Sequence, residues 1–388
     1  MTKKYDFDKL IDRRGTDALK WDIPEGELPM WVADMDIETA PEITEAIARR
    51  AAHGVFGYNI IPDEWYEAYI AWWRTRHGFD LDKDSLIFCT GVVPAISSAV
   101  RKLTTPAEKV LLLTPCYNIF YNSILNNGRV PLEGPPMYKD GGYSIDYDLR
   151  DELLRDTQTT MMILCNPHNP TGRIWRAAEL ERIGELAAEN GVIVMSYEIH
   201  CDLTAPGRDY VPFASVSSVC RDNSVTCISP TKAFNLAGIQ TAAVYAPNKA
   251  LYNKMNRALN TDEVAEPNSF AVTAAVAAFG NGAAWLDALR EYIEENRRIV
   301  AMYTKSEIPD IKYVPSEATY LLWLDCGAIC DDTRELAAFI RKRTGLYLSA
   351  GAQYGKGGER FLRLNIGCPK ANVTDGLTRL KRGINEYR

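Results

Sequence analysis

The stretch MMILCNPHNPTGRIWRAAELERIGELAAENGVIVMSYEIH, residues 161–200, indicates the class of fold. It begins with an apolar run, passes through a turn rich in Pro and Gly into a segment whose apolar residues have helical spacing, and ends in a second apolar run. Apolar runs of about 5 residues that alternate with helices of about 10–15 residues are typical of βαβ units with parallel strands. The stretch therefore predicts one unit of a parallel sheet that is covered by helices on both faces.

The same alternation extends in both directions from this unit, from about residue 85 to about residue 247. The other apolar runs are SLIFCTG, KVLLLTP, VTCISP and QTAAVYAP. Near the C-terminus the pattern changes to α+β, in ATYLLWLD, DTRELAAFIRKRTG and RFLRLNIG. We predict a large domain over 46–285 and a smaller α+β domain over 286–388, which the N-terminal segment 1–45 joins.

Composition excludes several classes of partner. The 388 residues include 44 basic and 51 acidic side chains, for a net charge of -7, with no basic stripe, so neither nucleic acid nor a membrane is an expected partner. No apolar stretch reaches the ~18–20 residues of a membrane span, and the start lacks the apolar core of a signal peptide, so we expect a cytoplasmic protein. The nine cysteines form no C-x-x-C pair and are expected to be reduced thiols. The four histidines never have zinc-site spacing, so no metal is expected.

Ligands of such sheets bind beyond the carboxyl ends of the strands, which directs attention to the residues that follow each apolar run. Those residues are Gly91, Tyr117, Asn169, Tyr197 and Lys232. A lysine at a strand end is usually a solvated charge. In a desolvated site its pKa would fall, and it could form a Schiff base with an aldehyde.

Three further segments carry candidate binding groups, each with a plainer alternative. In CTGVVPAIS the backbone N–H groups of Val92 and Val93 can hold a phosphate at a helix start, or the glycine makes only a tight turn. In CNPHNPTG the prolines leave the Asn169 amide free for a ligand, or the segment is only a rigid turn. In RFLRLNIG, Arg363 lies on one face of a strand, where it can bind a carboxylate with two parallel hydrogen bonds. The alternative is that Arg363 makes only a surface ion pair.

Taken in chain order, the motifs resemble those of the fold-type I pyridoxal 5′-phosphate (PLP) enzymes, the class I and II aminotransferase superfamily. The details are similar to its cystathionine β-lyase, or C–S lyase, branch. The motifs span nearly the whole chain and are RRGTDALKWD, WVADMD, FGYN, NPHNPTG, EIHCD, SPTKAFNLAG and RFLRLNIGCP. The resemblance implies an aspartate aminotransferase-like fold, with a mostly parallel seven-stranded sheet between helices and a smaller α+β domain.

The resemblance also implies roles for individual residues. Lys232 would bind the cofactor aldehyde and later move the substrate Cα proton, and Arg363 would hold the substrate α-carboxylate. Tyr58 would reach the site from the partner subunit of a homodimer, as a cofactor-binding and catalytic residue. The remaining cofactor contacts would come from Ser229, Val92 and Val93 at the phosphate, Tyr117 stacked on the pyridine ring, Asn169 at the ring oxygen, and His200.

Tyr197 departs from the family pattern. The branch motif would read S-D-E-I-H, with the aspartate at the pyridine nitrogen, whereas this chain reads S-Y-E-I-H. A carboxylate would keep the ring nitrogen protonated, but a phenol is neutral at pH 7 and only donates a hydrogen bond. The ring would then stabilise negative charge at Cα less well.

The resulting hypothesis is a PLP-dependent C–S β-lyase that eliminates a thiol from an L-cysteine S-conjugate such as cystathionine, to pyruvate and ammonia. Tyr197 would impair that reaction. Two alternatives stay open at this stage: a PLP-dependent aminotransferase, which uses the same lysine, and a catalytically weak PLP-fold protein that regulates or binds.

Overall fold

A computed structural model describes residues 5–139 and 141–387 of the chain. The strands in chain order are β1 (Leu28–Pro29), β2 (Leu86–Cys89), β3 (Lys109–Leu112), β4 (Val130–Glu133), β5 (Met137–Lys139), β6 (Gly142–Ser144), β7 (Thr159–Cys165), β8 (Ile193–Tyr197), β9 (Ser224–Ile228), β10 (Ala242–Tyr245), β11 (Lys312–Tyr313), β12 (Leu321–Asp325), β13 (Leu346–Tyr347), β14 (Ser349–Ala350) and β15 (Phe361–Asn365).

The α-helices in chain order are α1 (Pro41–Ala52), α2 (Asp63–His77), α3 (Val92–Leu103), α4 (Ile119–Leu125), α5 (Tyr147–Leu154), α6 (Ala177–Glu189), α7 (Ser218–Asp222), α8 (Lys249–Thr261), α9 (Ala271–Asn281), α10 (Ala283–Glu307), α11 (Thr333–Thr344) and α12 (Lys370–Tyr387). Short 3-10 helices lie at Leu19–Trp21, Lys83–Ser85, Phe213–Ser215, Ala237–Ile239 and Gly351–Tyr354.

The main sheet has seven strands in the order β2-β10-β9-β8-β7-β3-β4. All neighbouring pairs are parallel except those that include β10. A parallel connection needs a crossover, usually a helix, whereas β9 and β10 are joined by a turn and one short 3-10 helix, so β10 reverses direction. The predicted mostly parallel seven-stranded sheet with helices on its faces is confirmed.

Residues 161–200 fold as one βαβ unit. Strand β7 and strand β8 pair in parallel, with Cys165 opposite Tyr197. Helix α6 connects them and buries one apolar face, which includes Leu180, Ile183 and Leu186, against the sheet. The polar residues that follow β7 and β8 therefore meet at one edge of the sheet.

A second, antiparallel sheet has the order β11-β12-β15-β14. The N-terminal segment adds β1, which pairs in parallel with β13. In β15, Leu362 and Leu364 pack into the same core as helices α10 to α12, while Phe361 packs on the other side with Trp323 and Tyr354. This alternation is the one predicted from RFLRLNIG. The domain boundaries after residues 45 and 285 stay predictions.

Within residues 5–139 and 141–387, no single helix is long and apolar enough to cross a membrane. The consecutive helices α9 and α10 are long and apolar enough only when taken together, and the chain bends by 77° between them.

Candidate active site

The site forms at the carboxyl ends of three adjacent strands, β7, β8 and β9. Asn169 follows β7, Tyr197 is the last residue of β8, and Lys232 lies in the turn after β9. Asn169 and Tyr197 are each 2% exposed. The second sheet contributes Arg363 from β15, which reaches Asn169 across a sequence separation of 194 residues. The chain thus assembles four of the predicted site residues at the edge of the main sheet.

Lys232 is a desolvated amine. Its Nζ donates a hydrogen bond of 2.5 Å to the carbonyl oxygen of Ala33. Burial lowers the pKa of Lys232 to about 8; the charge of Asp34 opposes this effect, and the charge of Arg363 adds to it. A lysine with this pKa is partly unprotonated near neutral pH, as a nucleophile or a base requires.

Arg363 is buried, at 4% exposure, and no carboxylate among the described residues pairs with it. Its Nη1 donates to Asn169 Oδ1 at 3.3 Å, its Nη2 donates to the Trp31 carbonyl at 2.7 Å, and its Nε has no partner. The guanidinium lies 4.9 Å from the centre of the Tyr354 ring. The surface ion pair that was the alternative for Arg363 is absent from the described residues, and the buried cation retains a free donor for an anionic ligand.

His200 lies near both of these charges. It is fully buried, and neither of its ring nitrogens has a hydrogen-bond partner among the described residues. Burial, with a smaller contribution from the charges of Lys232 and Arg363, lowers the pKa of His200 to about 3. The imidazole is therefore neutral, with two unsatisfied nitrogens at the site.

Tyr197 occupies an aromatic and apolar environment. Its ring meets Phe120 edge to face at 5.1 Å and lies 6.2 Å from Tyr117 and 6.1 Å from His200. Burial holds the pKa of the Tyr197 phenol well above its ordinary value, so the hydroxyl is neutral. Its neighbour in sequence, Glu198, is directed elsewhere and accepts from Ser196 Oγ at 2.6 Å and from the Phe213 backbone N–H at 2.9 Å.

The predicted phosphate-binding elements have the expected local structure. Helix α3 begins at Val92, directly after Gly91, with no side chain capping it. The backbone N–H groups of Val92 and Val93 belong to the first turn of that helix, where no intrahelical acceptor exists. Ser229 is buried, and its hydroxyl donates to the Thr241 carbonyl at 2.7 Å and lies 2.8 Å from Thr231 Oγ1.

The NPHNPTG segment is a closed turn. The bonds Asn166–Pro167 and Asn169–Pro170 are both cis. Gly172 has a φ of +70°, and a Cβ there would lie 2.0 Å from Ser316 Oγ and 2.8 Å from the Ala318 carbonyl. Only glycine therefore fits where this turn meets the loop before β12.

The single chain does not bring Tyr58 to the cluster. Its side chain is 100% exposed, in a segment whose other apolar residues are exposed as well.

The N-terminal segment contributes contacts that residue types do not predict. Ala33 contacts Lys232 through its carbonyl, Trp31 contacts Arg363 in the same way, and Tyr320 OH donates to the Ala33 carbonyl at 3.0 Å. A backbone carbonyl leaves no residue-type signal in a sequence. The motif WVADMD contributes to the family resemblance, but only the fold shows which groups it contacts.

One group of side chains among the described residues can offer three metal ligands close together, and it lies outside this cluster. His77, Cys201 and Asp202 have ligand atoms within 4.8 Å of one another. Asp202 Oδ1 already accepts from Trp72 Nε1 at 2.9 Å and lies 3.0 Å from His77 Nε2. These hydrogen bonds explain the arrangement without an ion.

Comparison with known proteins identifies the family of this chain. The sequence profile of the family described as aminotransferase class I and II matches residues 30–380, so the chain belongs to this family. Among its relatives, cystathionine beta-lyase PatB of Bacillus subtilis (strain 168) is 42% identical over 386 residues, which cover 98% of this chain and 100% of the relative. That similarity identifies the cystathionine β-lyase branch, as the motifs predicted.

Solved structures of similar proteins superimpose closely. Cystalysin from Treponema denticola, which contains a pyridoxal 5′-phosphate cofactor, has a TM-score of 0.95 and 29% identity, covering 99% of this chain and 100% of that one. The PLP-bound C–S lyase from Staphylococcus hominis has a TM-score of 0.92 and 31% identity, covering 99% of both chains. The predicted aspartate aminotransferase-like fold is thereby confirmed.

Proposed function

We propose that this protein is a PLP-dependent C–S β-lyase, which converts an L-cysteine S-conjugate and water to pyruvate, ammonia and a thiol. One observation carries the proposal: a desolvated lysine, Lys232, shares a buried site with Arg363, a cation that has no carboxylate partner among the described residues. The similarity to cystathionine beta-lyase PatB supports the lyase rather than the aminotransferase reaction.

The residues present fit PLP. An aldehyde requires an amine that is unprotonated near neutral pH, and burial prepares Lys232 for that. A phosphate requires free N–H donors, which the start of α3 offers, and the buried hydroxyl of Ser229 is a further candidate group. Buried polar atoms without partners, His200 Nδ1 and Nε2 and Arg363 Nε, are costly unless a ligand satisfies them.

When bound, PLP supplies the electron sink that allows the α-proton of an amino acid to leave. The chain's own residues hold and orient the reactants. Lys232 would bind the cofactor aldehyde in the resting protein, and its Nζ, once displaced by substrate, would accept the Cα proton. Arg363 would bind the substrate α-carboxylate, because its buried guanidinium has a free donor.

The other contacts are proposed for cofactor binding. Asn169 would bond the ring oxygen from a position already set by its contact with Arg363. Tyr117 and His200 would border the ring, and Val92, Val93 and Ser229 would hold the phosphate. Tyr197 would meet the ring nitrogen with a neutral phenol, so we expect slow elimination.

We propose a homodimer in which Tyr58 completes the partner's site. Val55, Phe56 and Ile60 are 63%, 54% and 81% exposed, and they flank the fully exposed Tyr58. A short run of exposed apolar side chains is typical of a surface that another chain covers. We also propose a reducing, cytoplasmic location, which the nine free cysteines favour.

The proposal is tested by incubating the purified chain, with PLP added, with L-cystathionine and with L-cysteine. Release of pyruvate in step with thiol, together with an absorbance band of protein-bound cofactor, is the expected result. The same samples with an added α-keto acid measure amino transfer. Keto-acid-dependent transfer that exceeds pyruvate release would reassign the protein as an aminotransferase, and an absent cofactor band would refute PLP binding.

A further inference from the structure

The segment Trp31–Asp36, which we call the 31–36 segment, contacts both principal groups of the site through its backbone. The Trp31 carbonyl accepts from Arg363 Nη2 at 2.7 Å, and the Ala33 carbonyl accepts from Lys232 Nζ at 2.5 Å. Tyr320 OH donates to the same Ala33 carbonyl at 3.0 Å. The position of this segment therefore decides where Lys232 and Arg363 point.

A network of four charges holds the segment: Lys20 and Asp36 are buried, whereas Arg13 and Asp34 are partly buried. Arg13 joins the two carboxylates, with Nη2 at 2.8 Å from Asp34 Oδ2 and Nη1 at 2.7 Å from Asp36 Oδ1. Lys20 Nζ lies 2.8 Å from Asp36 Oδ2, and these two residues are only 1% and 3% exposed. Buried ion pairs contribute little net stability, but they can select one arrangement of the chain.

The two carboxylates of the network have different surroundings. Asp36 accepts from two cations, Arg13 and Lys20, and from the uncharged Trp21 Nε1. Asp34 follows Ala33 directly, and its charge raises the pKa of Lys232 against the effect of burial. The other groups near Lys232 are Arg363, whose charge lowers the same pKa, the neutral His200, and Tyr320, whose hydroxyl donates to the same Ala33 carbonyl.

We propose that Asp34 is a positioning residue for Lys232: with Arg13 it fixes the 31–36 segment, so that the Ala33 carbonyl orients Nζ, and it supplies the negative charge nearest to that amine. The inference rests on the proposed function, in which Lys232 Nζ is the group that binds the cofactor and moves the proton. It also gives a role to two motifs, RRGTDALKWD and WVADMD, which contain all four charges.

The chain offers a matched control. Asp34→Asn and Asp36→Asn remove one negative charge each from the same network, but only Asp34 acts on Lys232. A third variant, Arg13→Gln, removes one of the two cations beside Asp34; the other is Lys20, whose Nζ lies 3.6 Å from Asp34 Oδ1. If the network is purely structural, all three variants should shift the pKa of Lys232 similarly. If Asp34 acts through its charge, the variants should shift that pKa in different directions.

The experiment measures the pKa of Lys232 in the full chain by competitive acetylation with acetic anhydride across pH, with mass spectrometry of the Lys232 peptide. Because Arg13 screens the carboxylate, we expect Asp34→Asn to lower the pKa by about 0.5–1 unit, at the lower end for a neighbouring charge. Arg13→Gln should raise it, and Asp36→Asn should leave it within about 0.2 unit. Circular dichroism establishes that each variant is folded.

An unchanged pKa in Asp34→Asn, or an equal shift in Asp36→Asn, would overturn the inference. If Asp34→Asn does not fold, Arg13→Gln provides the test. A Lys232 pKa that is unchanged or lower in Arg13→Gln would also overturn the inference. The acetylation needs no cofactor. A chain that takes up no PLP would therefore defeat the proposed function, while the Lys232 titration would still test Asp34. With PLP bound, the pH dependence of the cofactor absorbance should shift in the same direction in each variant.

Discussion

Replacing Tyr197 by aspartate should speed elimination, because the site then has a carboxylate where the family pattern requires one. The Tyr197 phenol is 2% exposed, and burial keeps its pKa well above the ordinary value, so it carries no charge at any physiological pH. Its ring neighbours, Phe120 and Tyr117, add no negative charge. No described contact of Tyr197 therefore keeps a ring nitrogen protonated.

The expected increase in the elimination rate follows from the negative charge of the new carboxylate. A carboxylate at hydrogen-bond distance raises the pKa of a protonated nitrogen by ~1–3 units, at ~1.4 kcal/mol per unit. If all of this reaches the transition state, the rate of pyruvate release rises by roughly 10- to 1000-fold. The substitution also removes a buried ring, which without cofactor should lower the free energy of unfolding by about 2–4 kcal/mol. PLP should therefore raise the melting temperature more in Tyr197→Asp than in the wild type.

The assay is the initial rate of pyruvate release from L-cystathionine at saturating PLP, for the wild type, Tyr197→Asp and Tyr197→Asn. Asparagine has nearly the volume of aspartate and no charge, so it separates relief of crowding from restoration of the charge. A Tyr197→Asn rate equal to that of Tyr197→Asp would show that size alone matters. A Tyr197→Asp rate at or below the wild type would refute the assignment of Tyr197 to the ring nitrogen.

Three further predictions concern other site residues. Arg363→Lys should reduce kcat/KM for L-cystathionine by about 10- to 100-fold, mainly through KM, since a lysine cannot form two parallel bonds to a carboxylate; an unchanged KM would place the substrate carboxylate elsewhere. His200 has a pKa of about 3 in the folded chain and near 6.5 when unfolded, so the unfolded state binds more protons between these values and stability falls as pH falls through that window. Urea unfolding at several pH values should show that the free energy of unfolding falls less on acidification in His200→Asn than in the wild type. If sites are shared, refolding Lys232→Ala and Tyr58→Ala chains together should restore about one quarter of wild-type activity, because half of the dimers would contain one intact site; no recovery would contradict a shared site.

Much of the architecture is accessible from the sequence because it depends on short-range patterns. The apolar runs and the helical spacing of the 161–200 stretch predict a βαβ unit, and the observed β7, α6 and β8 form one. Parallel strands end at the same edge of a sheet, so the residues that follow them, including Asn169, Tyr197 and Lys232, could be expected to meet. The reversal of β10 could not be predicted, because it depends on how the chain turns after Lys232.

Residue types and their spacing predict the class of fold, propose Lys232 and Arg363 as site residues and reveal the departure at Tyr197. The surroundings of these side chains follow from the tertiary structure alone. The Ala33 carbonyl meets Lys232 across 199 residues, and the Trp31 carbonyl meets Arg363 across 332. Contacts of this kind are made by backbone atoms that every residue has, so they depend on how the N-terminal segment packs between the two sheets. The same packing brings the charges of Arg13 and Asp34 close to Lys232.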